Sequence, residues 1–95
     1  MISEVRTVPK FSPGQILITT NAQEQLNPSE VQQAIRRHLA GDWGDCEPED
    51  AAANEDALGH GERLLSVYHT AEKVRFWLIT EADRSATTVL LPEDY

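Results

Sequence analysis

From Arg63 to Leu91 large apolar side chains recur at every second position, a period that suits a pleated strand and not a helix. Arg63 to Thr70 places Leu65, Val67 and His69 on one face and Leu64, Ser66 and Tyr68 on the other. Val74 to Glu81 sets Val74, Phe76, Leu78 and Thr80 against Arg75, Trp77, Ile79 and Glu81. Apolar bulk on both sides predicts that this second stretch is a central strand covered on both faces. Polar turns at Ala71-Glu72-Lys73 and Ala82-Asp83-Arg84-Ser85 separate it from its neighbours. The last strand runs from Ala86 to Leu91, and Pro92 ends it. The expected unit is an antiparallel meander of three strands.

The first half of the chain reads differently. Ile16, Leu17 and Ile18 form a short β-compatible run after the Phe11-Ser12-Pro13-Gly14 turn. Thr20 and Asn21 offer a cap for a brief helical turn over Ala22 to Leu26. Asn27-Pro28-Ser29-Glu30 is a stronger helix start, with Asn27 as the capping acceptor, Pro28 at the first position and Glu30 as the capping-box acid. Val31, Ala34, Ile35, His38 and Leu39 then share one face at helical spacing, and Gly41 supplies the stop. A second main helix is expected from Pro48 to about Leu58, thinly apolar and packed through alanines, with Glu49 and Asp50 in its first turn.

A meander joined to helices predicts an α+β fold, with two main helices on one face of the sheet and the Ile16 strand added to it. Ninety-five residues without repeat or linker fit one small domain, 1–95. Residues 1–10 show no sustained period and read as an edge strand or an extended arm, a candidate for pairing with a second copy. Met1 to Arg6 has no apolar h-region, and Cys46 is alone, so the expected compartment is the cytoplasm. The apolar runs are too short to span a bilayer, and no membrane partner is expected.

Charge is where composition becomes specific. The formal net charge is −8, from sixteen acids and eight Lys and Arg. No Lys or Arg lies between Arg37 and Arg63, an interval holding Asp42, Asp45, Glu47, Glu49, Asp50, Glu55, Asp56 and Glu62. The rest of the chain is balanced, so the whole excess is confined to that segment. Such a face repels nucleic-acid phosphates and attracts basic protein surfaces or cations.

Three chemistries compete for these residues. The Asp42-Trp43-Gly44-Asp45-Cys46-Glu47 stretch could hold a divalent cation, but its spacing fits no calcium loop, lacking alternating oxygen ligands and a closing bidentate Glu. Its plainer role is a helix-to-helix connector, with Trp43 in the core and Asp45 or Glu47 capping the next helix. Cys46 among acids has its thiol pKa raised, which opposes nucleophilic work. His69, Glu81 and Arg84, beside Tyr68, form the one set resembling an acid–base group, of the kind metal-independent ribonucleases mount on a sheet. Against it, the domain is acidic, and His69 shares its period with Leu65 and Val67 as a packed histidine would. His38 and His60 show no ligand spacing. No phosphate loop, dinucleotide fingerprint or serine elbow is present, and no cofactor is expected.

Gly41-Asp42-Trp43-Gly44-Asp45, Arg63-Leu64-Leu65-Ser66-Val67-Tyr68-His69, Trp77-Leu78-Ile79-Thr80-Glu81-Ala82-Asp83-Arg84, Thr87-Thr88 and Leu90-Leu91-Pro92-Glu93-Asp94-Tyr95 together resemble a family of small bacterial plasmid-related proteins. The resemblance covers roughly the C-terminal two-thirds and implies a cytoplasmic bacterial protein carried on mobile elements. It implies no catalytic residues. The leading expectation is therefore a non-enzymatic binding module. Its surface would be Asp42, Trp43, Asp45, Glu47, Glu49, Asp50, Glu55 and Asp56, docking on a basic protein. A nuclease-type toxin or hydrolase using His69, Glu81 and Arg84, and a divalent-metal-binding domain, are the rivals.

Overall fold

The computed structural model describes residues 9–95, and the elements follow in the order β1 (Gln15–Ile18), α1 (Thr20–Gln25), α2 (Pro28–Leu39), α3 (Pro48–His60), β2 (Leu64–His69), β3 (Arg75–Thr80) and β4 (Ala86–Leu90). A single 3₁₀ turn, Pro92–Asp94, closes the chain. The expected arm over residues 1–10 falls almost wholly outside the described residues.

The four strands make one mixed sheet in the order β1-β4-β3-β2. The antiparallel meander of β2, β3 and β4 is as the alternation predicts, with β3 inside it. The added strand β1 lies at the edge, parallel to β4, with Ile16 beside Thr87 and Ile18 beside Val89. The fold is thus α+β, with the helices on the face that carries Leu64, Ser66, Tyr68, Phe76, Leu78, Thr80, Thr87 and Val89.

Local chemistry accounts for most element ends. Asn27 caps α2 by accepting from Ser29 N at 2.9 Å, and Pro28 fills the first helical position. Val31 and Ala34 then bury against Tyr68, Phe76, Leu78 and Val89 in the main core. A smaller cluster of Trp43, Ala57 and Leu64, flanked by Phe11, Cys46, Ala51 and Leu58, seats α3 near the β2 edge.

Several local expectations are corrected. The cap of α1 is Thr19, whose hydroxyl accepts from Ala22 N at 3.1 Å, one residue earlier than expected. Glu30 does not turn back to close a capping box; its Oε2 accepts from Ala71 N at 2.8 Å, fastening α2 to the β2–β3 turn. Helix α3 runs past Leu58 to His60 and stops at Gly61, which takes the left-handed conformation with φ +67°. Neither Asp45 nor Glu47 caps it through a side chain: Glu47 occupies the cap position without a side-chain bond, and Asp45 turns to His69.

Candidate functional site

The connector between α2 and α3 is built from its own polar side chains. Asp42 binds Arg37 through two hydrogen bonds, Nε to Oδ2 at 2.7 Å and a terminal nitrogen to Oδ1 at 3.2 Å. The same carboxylate accepts from Gly44 N at 3.1 Å, making a turn over Trp43. The pairing holds the Asp42 carboxyl below its ordinary range and raises Arg37. Arg37 in turn lies over the Tyr68 ring, whose hydroxyl donates to Asp42 O. Burial pushes the Tyr68 hydroxyl pKa up.

The next three residues behave as a short extra strand. Val67 N donates to Trp43 O at 3.0 Å, and Asp45 N donates to Val67 O at 2.7 Å, so the connector closes the outer edge of β2. Gly44 is at φ +73°, and a Cβ there would fall on the Val67 carbonyl. Trp43 is buried, stacked near Phe11 and edge-on to His38, and its Nε1 donates to Glu55 Oε2 at 2.7 Å. Cys46 donates from Sγ to Leu65 O at 3.3 Å, and burial, reinforced by Asp50 and Asp45, raises its thiol pKa.

The eight candidate binding residues therefore divide. Asp42, Trp43, Asp45 and Glu55 are committed to internal contacts. Glu47, Glu49, Asp50 and Asp56 are exposed and, among the described residues, make no ion pair; nor does the neighbouring Glu62. Helix α3 buries only Asn54 and Ala57 fully, so most of its circumference faces outward. Its unpaired carboxylates form the open part of the acidic surface.

The candidate acid–base set does not come together. Glu81 follows the end of β3 that pairs with Leu64, whereas His69 pairs with Arg75 at the opposite end, about 17 Å away at the usual rise per residue. His69 is exposed, not packed, and its Nδ1 lies 2.7 Å from Asp45 Oδ2. The adjoining cleft, lined by Glu30, Arg37, Tyr68 and His69, has a volume of about 50 Å³, room for a few waters. Glu81 pairs with Arg63 at 3.5 Å. Arg84 sits at φ +61° and donates to the carbonyls of Ala57, Glu62, Glu81 and Ala82, so its guanidinium fastens the end of α3 to the β3–β4 turn. Among the described residues no three His, Cys, Asp or Glu side chains gather as a metal-ligand group.

The residue that sequence reasoning passed over is His38. It has no exposed surface, with Nδ1 at 2.5 Å from Ser66 Oγ and Nε2 at 2.8 Å from Thr80 Oγ1. Thr80 continues to Thr87 at 2.7 Å, and Thr87 to Pro13 O at 2.8 Å. The polar residues Ser66, Thr80 and Thr87, each on the helix-facing side of its strand, were the available signal for a buried partner on α2.

Comparison with protein-family models, with curated proteins and with solved structures found no match. Among the described residues no helix is long and apolar enough to cross a membrane.

Proposed function

We propose that this protein is an acidic protein-binding module that docks the outward side of α3, with Glu47 before it, on a basic partner surface. The observation that carries this reading is the division of the carboxylates. Glu47, Glu49, Asp50, Asp56 and Glu62 remain exposed and unpaired among the described residues, while Asp42, Asp45 and Glu55 are used internally. A helix that buries little and presents unpaired charge offers a rigid surface for electrostatic docking. The resemblance to plasmid-related bacterial proteins supplies a cytoplasmic setting, in which a DNA-handling or defence protein would offer such a basic surface and carboxylates would stand in for phosphates.

The test is a pull-down from a bacterial host at low and high salt, followed by titration of the captured protein. Affinity should fall as salt rises, and Glu49→Lys with Asp56→Lys should remove binding while leaving the fold intact. Binding that ignores both salt and charge reversal would overturn the proposal.

A further inference from the structure

Helix α3 is fastened to the domain by a few side-chain clamps over a thin apolar contact. Of its thirteen residues only Asn54 and Ala57 are buried. Ala51 and Leu58 pack partly against the small cluster of Trp43, Ala57 and Leu64. Helix α2, by contrast, buries Val31, Ala34 and His38, and the first two belong to the main core. Among the described residues three side chains tie α3 down. Asn54 accepts from Leu65 N at 3.0 Å and donates to Leu65 O at 2.6 Å. Trp43 donates to Glu55, and Arg84 donates to Ala57 O at 3.1 Å.

Charge works against this attachment. Glu49, Asp50, Glu55 and Asp56 lie in the helix, Glu47 precedes it and Glu62 follows, and no Lys or Arg stands between Arg37 and Arg63. A helix this short is marginal once detached, so release lets the segment unravel and its like charges spread apart. Both ends have freedom to turn. Glu47 makes no side-chain cap, Gly61 is at φ +67°, and no described residue lies within 4 Å of a Cβ at Gly59 or Gly61.

What α3 covers follows from the strand pattern. Val67 N donates to Trp43 O and Leu65 N to Asn54 Oδ1, so these two residues turn their N–H groups outward, while Ser66 turns its own toward Leu78 of β3. The connector holds Val67, and α3 holds Leu65.

We infer that α3 is a hinged cover that opens independently of the sheet, pivoting between Glu47 and Gly61 while the connector stays in place. Opening bares the outer backbone of Leu65 and the Trp43 and Leu64 side chains under the helix. The repulsion among the segment's own acids favours the open form. The closed form predominates and holds the acids in fixed positions, and the open form is a minor population. The cover controls access to a short stretch of free strand edge and the apolar patch beside it.

Native-state amide exchange of the unmodified chain, read residue by residue, tests this. The Leu65 amide should exchange together with those of the last two turns of α3, and about 100-fold or more faster than Ser66 and Leu78. Val67 should exchange with the sheet. Raising salt from about 10 mM to about 150 mM shortens the screening length from ~30 Å to ~8 Å, and should slow exchange at Leu65 severalfold. Val89→Ala weakens the sheet in both forms, so it should speed Ser66 and Leu78 by about tenfold or more and leave Leu65 and α3 unchanged. Four results would each overturn the inference: Leu65 as protected as Ser66, Leu65 exchanging fast while α3 stays protected, Val67 exchanging at the rate of Leu65, or exchange at Leu65 indifferent to salt. The first three are read on the native chain, so a misfolded variant does not shelter the idea. Acceleration of α3 by Val89→Ala to the same degree as Ser66 would also sink it, since α3 would then open only with the whole domain.

Discussion

His38 Nε2 donates to Thr80 Oγ1, and the direction follows from the far end of the chain of bonds. Pro13 O can only accept, so the Thr87 hydroxyl spends its proton there. Thr80 must then donate to Thr87, which leaves its oxygen to accept from His38 Nε2–H. A neutral imidazole has one proton, so Nδ1 accepts from Ser66. The network satisfies one neutral tautomer and ties α2, β2, β3, β4 and the lead into β1 together.

Stability should therefore fall on mild acidification. Burial, with a smaller push from the nearby positive charge of Arg84, lowers the His38 pKa from 6.5 to about 4. The unfolded chain binds this proton first, so the contribution is complete above pH 6.5 and declines as pH falls toward 4, by about 3 kcal/mol. Asp42 and Asp94, whose pKa values are depressed below 3.8, lose their contributions only in more acid solution. Chemical unfolding measured from pH 8 to about pH 4 should show the decline, and His38→Gln should flatten it.

Two glycines should respond in opposite senses to alanine. Gly44→Ala forces a left-handed φ and drives a methyl onto the Val67 carbonyl and the Tyr68 ring, and should cost about 3 kcal/mol or more. Gly59 lies within α3 with no described residue within 4 Å of a Cβ, so Gly59→Ala should stabilise by about 0.5–1 kcal/mol. Denaturant midpoints of the two variants check both signs.

Arg84→Lys should behave almost as badly as Arg84→Ala. A single ammonium cannot reproduce a planar fork that reaches four carbonyls on two sides. The expected loss is about 2–3 kcal/mol for either, read from equilibrium unfolding. A lysine variant within about 0.5 kcal/mol of native would show that the fork contributes nothing beyond its charge.

The two tryptophans should differ. Trp43→Phe removes a 2.7 Å bond to the Glu55 carboxylate and should cost about 2 kcal/mol. Among the described residues Trp77 Nε1 is buried without a hydrogen-bond partner, against Tyr95 on the other face of the sheet. Trp77→Phe removes that unsatisfied donor along with some apolar area, so its cost should stay below about 1 kcal/mol. Unfolding curves followed by circular dichroism compare them without relying on the fluorophore being replaced.

The alternation from Arg63 to Leu91, the Asn27-Pro28 start of α2 and the confinement of charge to Asp42–Glu62 were legible in the chain itself. Each rests on nearest neighbours: pleat period, a cap two residues from its donor, and a count of charges along the backbone. The meander, the α+β class and the acidic segment all follow from such local terms. Which carboxylates stay open among the described residues and where His38 finds its hydrogen-bond partners depend on residues brought together from far apart. Asp45 meets His69, Glu30 meets Ala71, and Arg84 meets the last turn of α3 across 24, 41 and 27 positions. Periodicity can place a side chain on a face but cannot say what lies opposite. His69 looked packed because it shares a strand face with Leu65 and Val67, yet it ends its strand beside an exposed carboxylate. His38 looked incidental, yet its ring is buried between the hydroxyls of Ser66 and Thr80. Only the packing of α2 on the sheet decided that.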